Sequence, residues 1–226
     1  AIYEKKLLVK GDLEKIISKL KLGEIDGINV TVPFKNSVIP YIDELSIEAE
    51  KTQSVNTIYH KNKKIIGHNT DIAGFELGLR HFKYNVLGKK VLILGAGGVV
   101  PSIIFALKKM KASNIVLSNR TKSKAENIKF FFPEVEIIDW GKTGEFNMII
   151  NATSIGLKSD DEIKINYNDF GKNKFFYDVI YNPRETIFLK RAKLFGNRAE
   201  NGKMMFIYQA HQAFTIWHKI MPDIDD

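Results

Sequence analysis

Val91-Leu92-Ile93-Leu94-Gly95-Ala96-Gly97-Gly98 runs four apolar residues straight into three glycines within four positions. A short apolar run of this kind reads as a buried strand, and the glycines at its end read as a turn into a helix. Gly95 permits the tight turn, and Gly97 lets the backbone approach a pyrophosphate. The helix beyond offers free N–H groups and the positive end of its dipole. Glycines lose much chain entropy on folding, so an ordinary turn is a poor account of three together. The next strand candidate, Ile115 to Ser118, ends at Asn119-Arg120-Thr121, about twenty residues further on, where a dinucleotide site reads the ribose 2′ position. An acid there would bind the 2′-hydroxyl of NAD. Here Arg120 can stack on adenine and pair with a phosphate, Thr121 can donate to it, and Lys124 adds a charge. Gly95, Ala96, Gly97, Gly98, Asn119, Arg120, Thr121 and Lys124 are therefore candidate cofactor residues, and NADP (NADPH) is the expected cofactor.

Working outward, strands are expected at Val91 to Leu94, Ile115 to Ser118, Val135 to Ile138, Met148 to Ile150 and Phe175 to Val179. Helix-length segments separate them, which predicts a parallel, doubly wound sheet of Rossmann type. Upstream, Ile2 to Val9 alternates like a half-buried strand, and Asp12 to Leu20 places Leu13, Ile16, Ile17 and Leu20 at helical spacing. Gly27 to Val32 is a β-branched run stopped by Pro33. Ser54 to Tyr59 and Lys64 to His68 read as a hairpin across Lys61-Asn62, followed by a helix from Asp71 to Phe82. The last helix, Lys203 to about Lys219, carries Met204, Phe206, Ile207, Phe214 and Trp217, and is expected to be buried on more than one side and to pack across both units. The fold class is thus α/β. Residues 71–202 form a Rossmann-type domain, and residues 1–70, completed by 203–226, form a smaller α/β substrate-binding domain.

The composition narrows the functions available. A chain of 226 residues is long enough for two small cores, and 44% hydrophobic with 27% charged residues is far from the signature of disorder. With no cysteine there is no disulfide framework, thiolate metal site or thiol nucleophile, no metal is expected, and cytoplasmic location is the default. No apolar run reaches the roughly 18 residues of a membrane span, so a membrane partner is not expected. The net charge of +8 is scattered without a basic stripe, which argues against nucleic acid and leaves room for an anionic small molecule.

Asn29-Val30-Thr31-Val32-Pro33-Phe34-Lys35 places a lysine just past a strand end, with Pro33 expected in the first turn of a short helix. A cation there opposes the helix dipole by about 0.3 to 1 kcal/mol, which hints at a functional Lys35. His68-Asn69-Thr70-Asp71 closes the hairpin and opens a helix, with Asp71 at the cap. An ionised Asp71 beside Lys35 would hold the ammonium and make a paired acid-base site, able to deliver a proton while hydride arrives from the opposite face.

These segments, with Ser54-Val55-Asn56-Thr57, Asn151-Ala152-Thr153-Ser154-Ile155-Gly156, Asp178 to Pro183 and Gly202 to Gln212, resemble the successive signatures of the shikimate dehydrogenase family, in order and over nearly the whole chain. The resemblance implies an amino-acid-dehydrogenase-like architecture and NADPH-dependent reduction of 3-dehydroshikimate to shikimate on the chorismate route to aromatic amino acids. It implies Lys35 and Asp71 as the catalytic pair. Thr31, Asn56 and Gln209 would bind ring hydroxyls, with Tyr181 near the substrate carboxylate. Asn151, Thr153 and Ser154 would line the dinucleotide, and Gly202 would lie near the nicotinamide. A monomer or homodimer is implied. The family's usual first strand and helix, with a Ser-x-Ser motif for the carboxylate, are not in this sequence, so a fragment or a natural truncation is expected. The alternatives are a quinate/shikimate dehydrogenase using NAD, a methylenetetrahydrofolate dehydrogenase of related architecture, or a non-catalytic NADP-binding module.

Overall fold

Val91 to Leu94 lies in strand β5 (Lys90–Leu94) of a six-stranded, all-parallel sheet in the computed structural model, which describes residues 1–224. Its neighbours are β6 (Asn114–Ser118), β7 (Glu136–Ile138), β8 (Met148–Asn151), β9 (Phe175–Asp178) and β10 (Arg198–Asn201), in the order β10-β9-β8-β5-β6-β7. Val91 and Ile93 enter the core on one face, and Leu92 and Leu94 enter the core on the other. Burial on both faces is why the strand reads as an unbroken apolar run instead of an alternation. Strand order reverses between β5 and β8, which opens a crevice at the carboxyl ends of these two strands. The helices α4 (Val100–Lys109), α5 (Lys122–Phe131) and α6 (Ile187–Leu194) belong to this layer.

A second, four-stranded sheet is built from β1 (Gly27–Asn29), β2 (Glu44–Leu45), β3 (Thr57–Lys61) and β4 (Lys64–His68) in the order β1-β3-β4-β2. Helices α1 (Leu13–Lys21) and α2 (Ile47–Thr52) accompany it, and Ile17, Leu20, Val38, Ala49, Val55, Ile58 and Ile65 form its core. The β3–β4 turn falls on Asn62-Lys63, one residue later than the sequence suggests. Both residues have positive φ, as a two-residue hairpin turn requires.

Helix α3 (Asp71–His81) follows β4 directly, and α7 (Lys203–His218) lies against it. Gly74 and Gly78, one turn apart, allow the close approach: a Cβ at Gly74 would lie 2.7 Å from the carbonyl oxygen of Met205. At its other end α7 reaches the smaller sheet, where Trp217 Nε1 donates to the carbonyl of Ile58 at 3.0 Å. The helix therefore touches the smaller sheet and, through Met205, the core on one face of the larger one, as its apolar content suggests, but it is not buried all round. Met205 and Ala213 are buried, whereas Phe206 and Phe214 are 46% and 39% exposed, because α3 covers one face only.

Two further expectations are corrected. Ile2 to Val9 forms no strand; Ile2 and Leu7 are more than nine-tenths exposed, and no neighbouring strand pairs with this segment among the described residues. Alternation makes a strand only where a neighbour takes up the backbone hydrogen bonds. The segment is instead held to the end of β1, Tyr3 Oη donating to Asn29 Oδ1 at 2.9 Å. Pro33 starts no helix either, because residues 32–38 form a series of turns, so the dipole argument for Lys35 does not apply.

Candidate active site

Lys35 is held at the backbone by Val55, whose N–H donates to the Lys35 carbonyl at 2.8 Å. Its Nζ donates to Asp71 Oδ2 at 2.5 Å, with the two side chains only 13% and 8% exposed. Asp71 is the first residue of α3, and Thr70 is the cap residue, one position earlier than expected. The dipole of α3 favours the negative charge at that end. Asn56, buried, donates to Asp71 Oδ1 at 2.9 Å and to Thr70 Oγ1 at 3.0 Å, while its own Oδ1 accepts from the Thr70 N–H at 2.8 Å. Each carboxylate oxygen therefore has its own partner. A nearly buried ion pair is tolerable only when braced in this way. Chemically the arrangement is a cation held in place by a braced carboxylate, able to give up a proton and to be recharged. His68, nearby in sequence, has its pKa lowered by burial, against which the Glu48 carboxylate at 4.0 Å works in the opposite direction.

Around this pair the other expected residues are arranged unequally. Thr31, just beyond β1, is exposed, and its carbonyl accepts from Phe34 N–H at 2.9 Å. Gln209 lies on α7 against Gly74, whose added Cβ would be 2.9 Å from the Gln209 Cβ, so it sits one helical turn from Asp71. Tyr181 is 45% exposed and stacks on Phe206 with ring centroids 4.6 Å apart, one turn before Gln209 on α7. Asn56, by contrast, has both ends of its amide engaged inside the protein, so holding Asp71 is its evident task here.

The crevice between β5 and β8 is lined by the glycine turn. Gly95 has φ +112°, and a Cβ there would lie 2.7 Å from the carbonyl oxygen of Ala152, so only glycine fits. Gly97 and Gly98 expose their backbone just ahead of α4, and a Cβ on Gly98 would meet nothing within 4 Å. Asn119 is half-buried and donates to the carbonyl of Thr121 at 2.7 Å, closing the turn that presents Arg120, Thr121 and Lys124. Those three are exposed, and neither Arg120 nor Lys124 pairs with a carboxylate among the described residues. An open backbone cradle beside uncommitted cations fits a dinucleotide carrying an extra phosphate.

The wall of the crevice is held together by its own side chains. Asn151 is fully buried and donates to Asp178 Oδ1 and to the Ile155 carbonyl, both at 3.0 Å. Thr153 Oγ1 donates to Asn151 Oδ1 at 2.8 Å, so these two side chains shape the loop, and Ser154 is the exposed member. Gly202 is buried, and a Cβ on it would lie 2.1 Å from the Val179 carbonyl oxygen; packing against β9 requires glycine there. Asp178, which opens one of the signature segments but has no role of its own in the sequence reading, also accepts from Thr186 Oγ1 at 2.6 Å and from the Ile180 N–H at 3.0 Å. Burial raises its pKa to about 6, although all three hydrogen bonds act to lower it. Asn69 and Phe206 likewise stand in signature segments without a role assigned; the hint for Asn69 is an amide two residues before the first acid of a helix.

The family model for the shikimate dehydrogenase substrate binding domain matches residues 1–58. The shikimate dehydrogenase (NADP(+)) of Pelagibacter ubique is 61% identical over 225 residues, covering 100% of this chain and 85% of that protein. Among solved structures, shikimate dehydrogenase from Aquifex aeolicus superposes with a TM-score of 0.86 at 36% identity, covering 96% of this chain and 80% of that one. A shikimate dehydrogenase in complex with NADP+ gives 0.89 at 33% identity, covering 96% and 79%.

Proposed function

The chain belongs to the shikimate dehydrogenase family, and on that premise we propose that it catalyses the reversible, NADPH-dependent reduction of 3-dehydroshikimate to shikimate. The observation that carries this reading is the nearly buried Lys35–Asp71 pair, braced by Asn56, at the foot of the helix that leaves the smaller sheet. NADPH, when bound, supplies the hydride to the carbonyl carbon. Lys35, held in place by Asp71, donates its proton to the carbonyl oxygen as negative charge develops there, and a proton from solvent recharges it. In the oxidation direction neutral Lys35 accepts the proton from the hydroxyl.

In this reading Thr31, Gln209 and Asn56, which also braces Asp71, contact ring hydroxyls, and Tyr181 stands toward the carboxylate. Gly95 to Gly98 hold the pyrophosphate. Asn119 shapes the turn from which Arg120, Thr121 and Lys124 meet the 2′-phosphate. Asn151, Thr153 and Ser154 line the dinucleotide, and Gly202 lies near the nicotinamide. Residues 1–70 with 203–226 serve as the substrate-binding domain and residues 71–202 as the cofactor domain. The protein works in the cytoplasm as a monomer or homodimer.

The test is a steady-state assay of the purified protein with shikimate and NADP+ or NAD+ in parallel, followed by the absorbance of the reduced cofactor. The proposal expects turnover with a clear preference for NADP+. Quinate turnover with NAD+ would support the alternative dehydrogenase, and NADPH binding without turnover of either acid would support a binding module.

A further inference from the structure

The turn that presents Asp71 is tied by one side chain to the helix that receives the cofactor. Asn69 is 1% exposed. Its Oδ1 accepts the backbone N–H of Asp71 at 3.1 Å, fixing the start of α3. Its Nδ2 lies within hydrogen-bond distance of three acceptors: Thr52 Oγ1 at 3.0 Å, the Ser54 carbonyl at 3.0 Å and Ser102 Oγ at 2.9 Å. Thr52 and Ser54 belong to the smaller sheet's layer. Ser102 is fully buried in the first turn of α4, directly behind the glycine cradle. An amide nitrogen has two N–H groups, so three acceptors are one more than it can satisfy separately. The Ser102 contact is therefore not needed to keep Asn69 hydrogen-bonded, and its consequence is geometric. It joins the layer carrying Lys35 and Asp71 to the helix whose N-terminus faces the dinucleotide.

Hydride transfer depends on the distance between groups held by these two layers, and an error of about 1 Å can lower a rate by about 10²-fold. We infer that Asn69 and Ser102 form a positioning pair that sets Asp71, and through it Lys35, relative to the cofactor helix. The inference rests on the function proposed above. Neither residue touches the reacting atoms. Both act through Asp71, as supporting hydrogen bonds hold the members of a catalytic constellation.

Ser102→Ala is the clean perturbation, because Asn69 keeps two acceptors for its two N–H groups and no buried donor is orphaned. The full chain is compared as wild type, Ser102→Ala, Asn69→Ala and the double variant. Four readouts are taken: kcat, the KM values for shikimate and NADP+, the primary isotope effect with NADPH deuterated at the transferred hydrogen, and amide exchange at Asp71 without ligands. Ser102→Ala is expected to lower kcat by about tenfold, a fraction of the 1 Å penalty, with both KM values within about twofold. The isotope effect should grow as hydride transfer becomes limiting, and the Asp71 amide should exchange faster even without cofactor. The double variant should be no slower than the slower single variant, because paired residues are not additive. An unchanged kcat and isotope effect in Ser102→Ala, with only thermal stability reduced, would overturn the inference; so would a loss confined to the KM for NADP+. If Asn69→Ala does not fold, Ser102→Ala decides alone. Inactive wild type refutes the proposed function, whereas active wild type with unaffected variants refutes only the positioning role.

Discussion

Replacing Asp178 by asparagine turns the balance between burial and hydrogen bonding at this site into a measurable pH dependence. The carboxyl is fully buried and accepts from Asn151, Ile180 and Thr186. Burial outweighs these donors and raises the pKa from 3.8 to about 6. The native state therefore holds this proton more tightly than the unfolded chain. Between these two values the unfolded chain loses its proton first, so stability falls as pH rises. The whole difference is worth about 3 kcal/mol, of which about 2.5 kcal/mol develops between about pH 4 and pH 7.5. Asparagine keeps the shape, and the Thr186 hydroxyl can reverse from donor to acceptor toward the new amide. His68, whose pKa burial lowers, acts in the opposite sense, destabilising the fold as pH falls below its ordinary 6.5. It is present in both proteins and cancels in the comparison. The assay is chemical denaturation of wild type and Asp178→Asn across that range. Wild-type stability minus variant stability should decline by about 2 to 3 kcal/mol from the acid to the neutral end. A difference independent of pH would show that the three donors balance burial, and one that grows with pH that they outweigh it; either would show that the reasoning is wrong.

Other outcomes follow from single contacts. Arg120→Ala removes one of the uncommitted cations beside the glycine turn and should weaken NADPH by about tenfold or more, a charged hydrogen bond being worth about 1.5 to 3 kcal/mol, while NADH binding changes little. Equal losses for the two cofactors in titrations would exclude contact with the 2′-phosphate. Gly202→Ala places a Cβ 2.1 Å from the Val179 carbonyl and should lower stability by about 1 to 3 kcal/mol, read from thermal unfolding. An unchanged midpoint would mean that the approach of α7 to β9 is not tight.

Much of the larger sheet is legible in the sequence because β5, β6, β8 and β9 are buried on both faces and stand out as apolar runs between helix-length segments. The edge strand β10, Arg198-Ala199-Glu200-Asn201, is not legible: its residues are mostly polar, and only the register with β9 makes it a strand. Helix α2 is six residues long and owes its start to Ser46, whose Oγ accepts from Ala49 N–H at 3.2 Å, a signal too short for periodicity to reveal. At the candidate site, Lys35 and Asp71 could be paired from residue type and strand-end position although 36 positions separate them. Asn69 and Asp178 could not, because their importance lies in which distant groups they bond, and a hydrogen bond across tertiary structure leaves no period or spacing in the chain. Asn56 was legible only through the family resemblance, as a contact for ring hydroxyls, and its role as the brace of Asp71 was not legible, for the same reason.

The most direct test compares wild type with Lys35→Ala in the reduction of 3-dehydroshikimate by NADPH, with NADPH affinity measured on the same samples. Loss of the proton donor should lower turnover by about 10²-fold or more while NADPH binds as before, since general acid catalysis contributes about that much. Turnover within a few-fold of wild type would contradict the assignment of Lys35 and Asp71 as the catalytic pair.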